Sequence, residues 1–370
     1  MYLYIFIMSY YNKILKVSEK LNKFIKNTPL ELNDRLSEKY NCNVYLKRED
    51  MQVVRSFKVR GALNKILSLD NNKDVVCASA GNHASGVAYS CDKLNIKGTI
   101  FVPNTTPLQK INRIHYYSKN SCNIRIYGNT FDETLIHSLD YCDKNKKVFV
   151  HPYDDLDVID GQATIAKEIF DEIEPDIILC PIGGGGLISG ISKYTKESDK
   201  NCQIIGIQSI SSPSMKISIY NNKITDVPIN DPFIDGGSVS LVGNETFKLC
   251  KKYVNNINIV PIGRICQEIL DLYNNDGIIV EPTGALSVAG IDLVGDIKGK
   301  TIVCILSGGN NDLKRYSEIE ERYLRYKNLK HYYIVKFIQK PGELRNFINW
   351  ILGEKDDIVR FEYLKKTEKE

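Results

Sequence analysis

Histidine is scarce in this 370-residue sequence, with five in all, and there is one Trp and only four Met. The ten cysteines contain no C-x-x-C pair, so neither a zinc site nor a disulfide framework is signalled. Cys77, Cys180 and Cys304 sit inside apolar runs, where a reduced thiol acts as a small hydrophobe, and a cytoplasmic setting is expected. An excess of one charge is also lacking. Lys plus Arg number 49 against 45 for Asp plus Glu, a dispersed net +4 that excludes the basic stripe of a nucleic-acid binder. The opening run MYLYIFIM falls well short of the roughly 20 residues of a membrane span. It has no basic region before it and no small-residue cleavage site after it, so it reads neither as an anchor nor as a signal peptide. Residues 1–7 read as lying upstream of a start at Met8, and 1–17 as an N-terminal extension. Hydrophobic residues at 43% and charged residues at 25% exclude disorder and collagen-like repeats, and the length predicts two or three compact units.

From about residue 40 short β-branched runs alternate with segments of helical spacing. Strands are predicted at 43–47, 75–79, 98–102, 123–127, 148–150, 177–182, 203–208, 257–262 and 301–306. Between them, apolar residues three or four apart predict helices around Leu63/Ile66/Leu67, Val87/Cys91/Leu94, Leu135/Leu139/Cys142, Ile165/Ile169/Ile173 and Ile265/Ile269/Leu272. Several strands are nearly continuous apolar runs, as expected where helices cover both faces of a parallel sheet. The fold class is therefore open α/β, with ligands at the carboxyl ends of the strands. A charged, Tyr-rich helix is predicted near 317–330. Beyond it strand 331–338, helix 343–352 and strand 358–364 make one βαβ unit, at or below the size that folds alone.

Four loops at strand ends carry the chemistry. Gly183, Gly184, Gly185, Gly186 and Leu187 lie between a strand and a helix. Side-chain-free backbone there lets N–H groups and the helix dipole hold a phosphate. No Lys-Ser/Thr follows, which argues against a nucleotide P-loop, and a nucleotide-binding α/β protein ranks as a distant alternative. Ser56-Phe57-Lys58-Val59-Arg60-Gly61-Ala62 places Lys58 at the positive end of a helix, where dipole and burial lower an amine's pKa and favour a nucleophile. Ser79-Ala80-Gly81-Asn82-His83 forms a nest of donors suited to a carboxylate. Ser307-Gly308-Gly309-Asn310 offers a hydroxyl at a strand's carboxyl end.

An amine, a phosphate cradle, a carboxylate nest and a lone hydroxyl, in this order, resemble the PLP-dependent enzymes of the tryptophan-synthase β-like fold (fold type II). The fuller run is similar to the biosynthetic threonine ammonia-lyases (threonine dehydratases) over about residues 20–315. It includes NTPLELNDRLSEKYNCNVYLKRED, SFKVRGA, SAGNHA, GQATIAKEI, GGGGLISG, FIDGGSVSLVG, EPTGALSVAG and LSGGN. The resemblance implies two α/β subdomains within 18–325, the small one about 62–155, and pyridoxal 5'-phosphate as cofactor. Lys58 is then the residue that bonds the cofactor and takes the substrate Cα proton. The resemblance gives the phosphate to Gly183–Leu187, the ring 3-oxygen to Asn82, the ring face to Phe57 and the pyridine nitrogen to Ser307. Ser79, Ala80, Gly81, Asn82 and His83 are implied substrate contacts. Glu281 lines the ring pocket or caps a helix and is left unassigned.

The implied reaction is β-elimination of L-threonine, and of L-serine, to a 2-oxo acid and ammonia, as the first step of isoleucine synthesis. A catabolic threonine/serine dehydratase and a serine racemase-like enzyme are the alternatives. Racemases place a Ser where this chain has Ala80, which has no proton to return to Cα. Residues 331–370 resemble the start of an ACT-like regulatory module but depart from its βαββαβ pattern after the second strand. That puts isoleucine or valine control in doubt. A homo-oligomer, dimer or tetramer, is implied, with no metal and no membrane or nucleic-acid partner.

Overall fold

Ten strands order themselves into two sheets in the computed structural model, which describes residues 2–70, 73–338 and 340–364. The larger sheet holds β1 (Leu30–Leu32), β2 (Asn43–Arg48), β7 (Ile177–Pro181), β8 (Gln203–Ser209), β9 (Asn256–Val260) and β10 (Thr301–Leu306), in the order β1-β2-β10-β7-β8-β9. All its pairings are parallel except β1 with β2. The smaller sheet is wholly parallel, in the order β5-β4-β3-β6. It is built from β3 (Val75–Ala78), β4 (Gly98–Val102), β5 (Cys122–Ile126) and β6 (Val148–Phe149).

The reason for the uninterrupted apolar runs is visible in β10. Ile302, Cys304 and Leu306 enter the core on one face of the large sheet, and Val303 and Ile305 enter the core on the other. Successive side chains point to opposite faces, so a strand covered on both sides has no polar positions to spare. β7 behaves the same way, with Ile177 and Leu179 on one side and Ile178 and Cys180 on the other. A separate core of Val75, Cys77, Val87, Cys91, Ile100 and Val102 belongs to the small sheet. The first helix runs Tyr2–Leu21, and its Tyr10, Ile14 and Val17 are buried, so residues 10–17 of the stretch read as an extension pack into this body. β1 and the helices Leu108–Ser118 and Asn244–Tyr253 were not foreseen in the sequence. No helix among the described residues is long and apolar enough to cross a membrane.

Two compact units result, residues 1–327 and 328–370. The second unit corrects an expectation. Its helix forms at Glu343–Trp350, but neither 331–338 nor 358–364 is paired as a strand among the described residues. Phe337 meets Phe347 edge-on at 5.6 Å, while Ile334 is 96% and Leu364 92% exposed. Two strands and one helix bury too little apolar surface to offset the cost of ordering the ladder.

Candidate active site

The motif loops converge at the carboxyl ends of β3, β7 and β10. Lys58 begins the helix Lys58–Leu67, and the Ser56 hydroxyl accepts its backbone N–H at 3.2 Å. This segment is stitched to the end of β10: Ser56 bridges Gly308, and Phe57 N–H donates to the Ser307 carbonyl at 3.1 Å. The Lys58 amine donates to the Pro152 carbonyl at 2.8 Å and lies 5.3 Å from the centre of the Phe57 ring. Burial lowers its pKa to about 8, with Glu281 pulling the other way. An amine so placed is substantially neutral near pH 8 and available as a nucleophile or base.

The glycine run lies next to the same cleft. Gly186 opens the helix Gly186–Glu197, and Gly185 before it has φ +95°, a backbone setting that favours glycine. Tyr153, the residue after Pro152, packs against the loop so closely that a Cβ on Gly184 would come within 2.6 Å of its ring atoms. The Thr246 hydroxyl donates to the Gly184 carbonyl at 2.8 Å and holds the loop from behind. Pro152 and Tyr153 thus bring the Lys58 amine and the glycine cradle to one place.

Asn82 starts the helix Asn82–Leu94, just after β3. Its Nδ2 lies 2.8 and 2.9 Å from the two Glu281 oxygens, and its Oδ1 accepts from Asn310 at 2.8 Å. Ser79 Oγ accepts the Gly81 N–H at 3.2 Å and shapes the loop, while Ala80 packs at the margin of the small-sheet core. His83 is turned inward: Nε2 donates to the Val150 carbonyl at 2.8 Å and the ring is 3% exposed. Burial, helped by the nearby Lys58 charge, lowers its pKa to about 3, so it is a neutral imidazole with a bare Nδ1. Ser307 is fully buried, and its hydroxyl has no hydrogen-bond partner among the described residues. A buried polar group is normally satisfied, so this hydroxyl has capacity left for a ring nitrogen. The residues therefore fit pyridoxal phosphate on three counts: a cleft amine of lowered pKa, a cradle only glycine can form, and an orphaned hydroxyl.

Beneath Lys58 lies a buried ionic cluster that the sequence did not announce. Arg60 reaches Glu49 at 2.8 and 2.9 Å and Glu168 at 2.5 and 2.8 Å, and Lys47 pairs with Glu168 at 2.7 Å. Burial works against the Glu168 charge, yet Arg60 and Lys47 hold this carboxyl below its ordinary range. The cluster ties β2 and the helix Leu156–Glu172 to the first turn of the Lys58 helix. Glu281 was also left unassigned by the sequence. It is 6% exposed, and burial raises its pKa to about 7. The signals for Pro152, Tyr153 and Asn310 were their positions just after strands β6 and β10.

Residues 21–308 match the family model described as pyridoxal-phosphate dependent enzyme. The chain belongs to that family. Residues 321–370 match the C-terminal regulatory domain of threonine dehydratase. Among relatives of this PLP-dependent enzyme, a Halalkalibacterium halodurans protein named L-threonine dehydratase biosynthetic IlvA is 47% identical, covering 96% of this chain and 87% of its own length. The Bacillus subtilis protein of the same name is 46% identical, with 96% and 86% covered. Among solved structures, processed threonine deaminase isoform 2 from Solanum lycopersicum superimposes with a TM-score of 0.81 at 35% identity, covering 85% of this chain and 93% of that one. These likenesses place the chain within the biosynthetic threonine dehydratase family.

Proposed function

We propose that this enzyme is a threonine ammonia-lyase that converts L-threonine to 2-oxobutanoate and ammonia. The observation carrying this reading is the meeting, through Pro152 and Tyr153, of the Lys58 amine with the Gly183–Leu187 cradle. Bound pyridoxal phosphate supplies the electron sink that makes the substrate Cα proton removable. Lys58 would hold the cofactor through its amine, and the same amine, once released from that bond, would take the Cα proton, a task that a pKa of about 8 suits near neutral pH. The N–H groups at the start of the helix Gly186–Glu197 hold the phosphate. Asn82 would hold the ring's 3-oxygen, Phe57 would pack beside the ring, and the Ser307 hydroxyl would meet the ring nitrogen. The loop Ser79, Ala80, Gly81, Asn82, His83 receives the substrate carboxylate, with His83 shaping the loop from its bond to Val150. Ala80 has no proton to return to Cα, which favours elimination over racemisation.

The match of residues 321–370 to a regulatory domain supports a biosynthetic, effector-linked role over a catabolic one. In domain terms, 18–325 form the catalytic part, with a small subdomain about 62–155 around β3–β6, and 331–370 form the ACT-like segment. The test is formation of 2-oxobutanoate by the purified, PLP-loaded protein. Threonine is expected to outrun serine, the rate to vanish in Lys58→Ala, and added isoleucine to lower it. A rate that survives Lys58→Ala would overturn the mechanism.

A further inference from the structure

An asparagine amide can sit either way round, and the end that faces a ligand decides whether it donates or accepts there. Asn82 is proposed above to face the cofactor, so its orientation matters, and its own loop does not set it. Asn310 does. Its Nδ2 donates to the Val54 carbonyl at 2.9 Å and to Asn82 Oδ1 at 2.8 Å. A carbonyl only accepts, so Val54 requires the nitrogen of Asn310 on its side, and that same nitrogen then requires the oxygen of Asn82. The Asn82 Nδ2 is left facing Glu281 and the pocket. Glu281 by itself cannot enforce this arrangement. Burial raises its pKa to about 7, and a protonated carboxyl donates as well as accepts. The Val54–Asn310 end is insensitive to that change.

We propose that Asn310 is a positioning residue for the cofactor: anchored on the Val54 carbonyl, it locks the Asn82 amide so that Asn82 meets pyridoxal phosphate as a donor. This rests on the reading of Asn82 given under Proposed function. The test is a double-mutant cycle on PLP uptake, read as the Kd of purified apoprotein and as the position of the cofactor's visible absorption band. Asn310→Asp cannot donate to either oxygen, and it and Asn310→Ala are expected to weaken PLP binding roughly tenfold and to displace the band. Asn310→Gln keeps the amide donors and is expected to retain the wild-type band, which separates positioning from general damage to the loop. In an Asn82→Ala background, Asn310→Ala is expected to add less than about twofold, because its effect acts through Asn82. Equal losses in both backgrounds, or an Asn310→Asp protein with native affinity and band, would overturn the proposal while the cofactor assignment stands. A wild-type protein that takes up no PLP would overturn both.

Discussion

The catalytic body and the C-terminal tail carry similar strand-like sequence, yet only the body turns it into sheet. Thr301–Leu306 is paired on both sides, by β2 and β7, and all but its first residue are buried. Residues 331–338 (HYYIVKFI) also carry β-branched and aromatic residues, but they have no partner strand among the described residues, and Ile334 lies 96% exposed. A strand is a bargain among neighbours: its hydrogen bonds and its two faces must all be met by other segments. The body supplies those segments from across some 300 residues, whereas the described residues of the second unit form one short helix.

The largest effect that would sharpen this contrast comes from the centre of the body. Lys58→Ala should lower 2-oxobutanoate formation by on the order of a thousandfold or more, measured at saturating PLP and threonine, with little change in far-UV circular dichroism. Next comes the ionic cluster. Arg60→Ala leaves Glu49 and Glu168 as buried carboxylates without their shared cation, and should cost about 3–5 kcal/mol in urea unfolding. If that variant unfolds like the wild type, the cluster does not anchor the Lys58 helix.

A pH scan of stability gives the third test. His83 stays neutral in the folded protein down to about pH 3, whereas the unfolded chain takes up a proton near pH 6.5. Between those values the unfolded state binds more protons, so stability from this group falls as pH is lowered from about 6.5 to 3. Urea midpoints of His83→Gln should therefore depend less steeply on pH across that window. The smallest effect belongs to the tail. Ile334→Ser and Trp350→Ala, at positions 96% and 81% exposed, should each change the unfolding free energy by less than about 0.5 kcal/mol. Amide exchange should be fast at 331–338 and slow in β10. A protected 331–338 would break the comparison by revealing a paired strand.

Reading the fold from sequence worked where a segment's own pattern is enough. The run of β7 and the four glycines after it reveal a buried strand followed by an anion-binding helix start, because continuous burial and side-chain-free backbone leave local marks. Lys58 and Ser307 drew attention for the same reason, each standing beside a strand or helix end, and the roles proposed for them rest on the family resemblance. Glu281 and Asn310 were not assigned roles, because a carboxylate or an amide in a loop reads alike whether it faces solvent or a pocket. Arg60 looked like any helical arginine until Glu49 and Glu168, the latter 108 residues away, closed around it.

By itself, then, the order of residues determined the alternation of strand and helix, the covered sheet and the placing of the glycine run between a strand and a helix. These follow from periodicity and backbone freedom, which act over a few residues. Tertiary structure alone decided that Pro152 and Tyr153 join the lysine to the glycine cradle, that Asn310 donates to Asn82 Oδ1, and that the tail's strand pattern stays unpaired among the described residues. Those outcomes depend on hydrogen-bond partners and burial contributed from distant parts of the chain, and no local pattern encodes them.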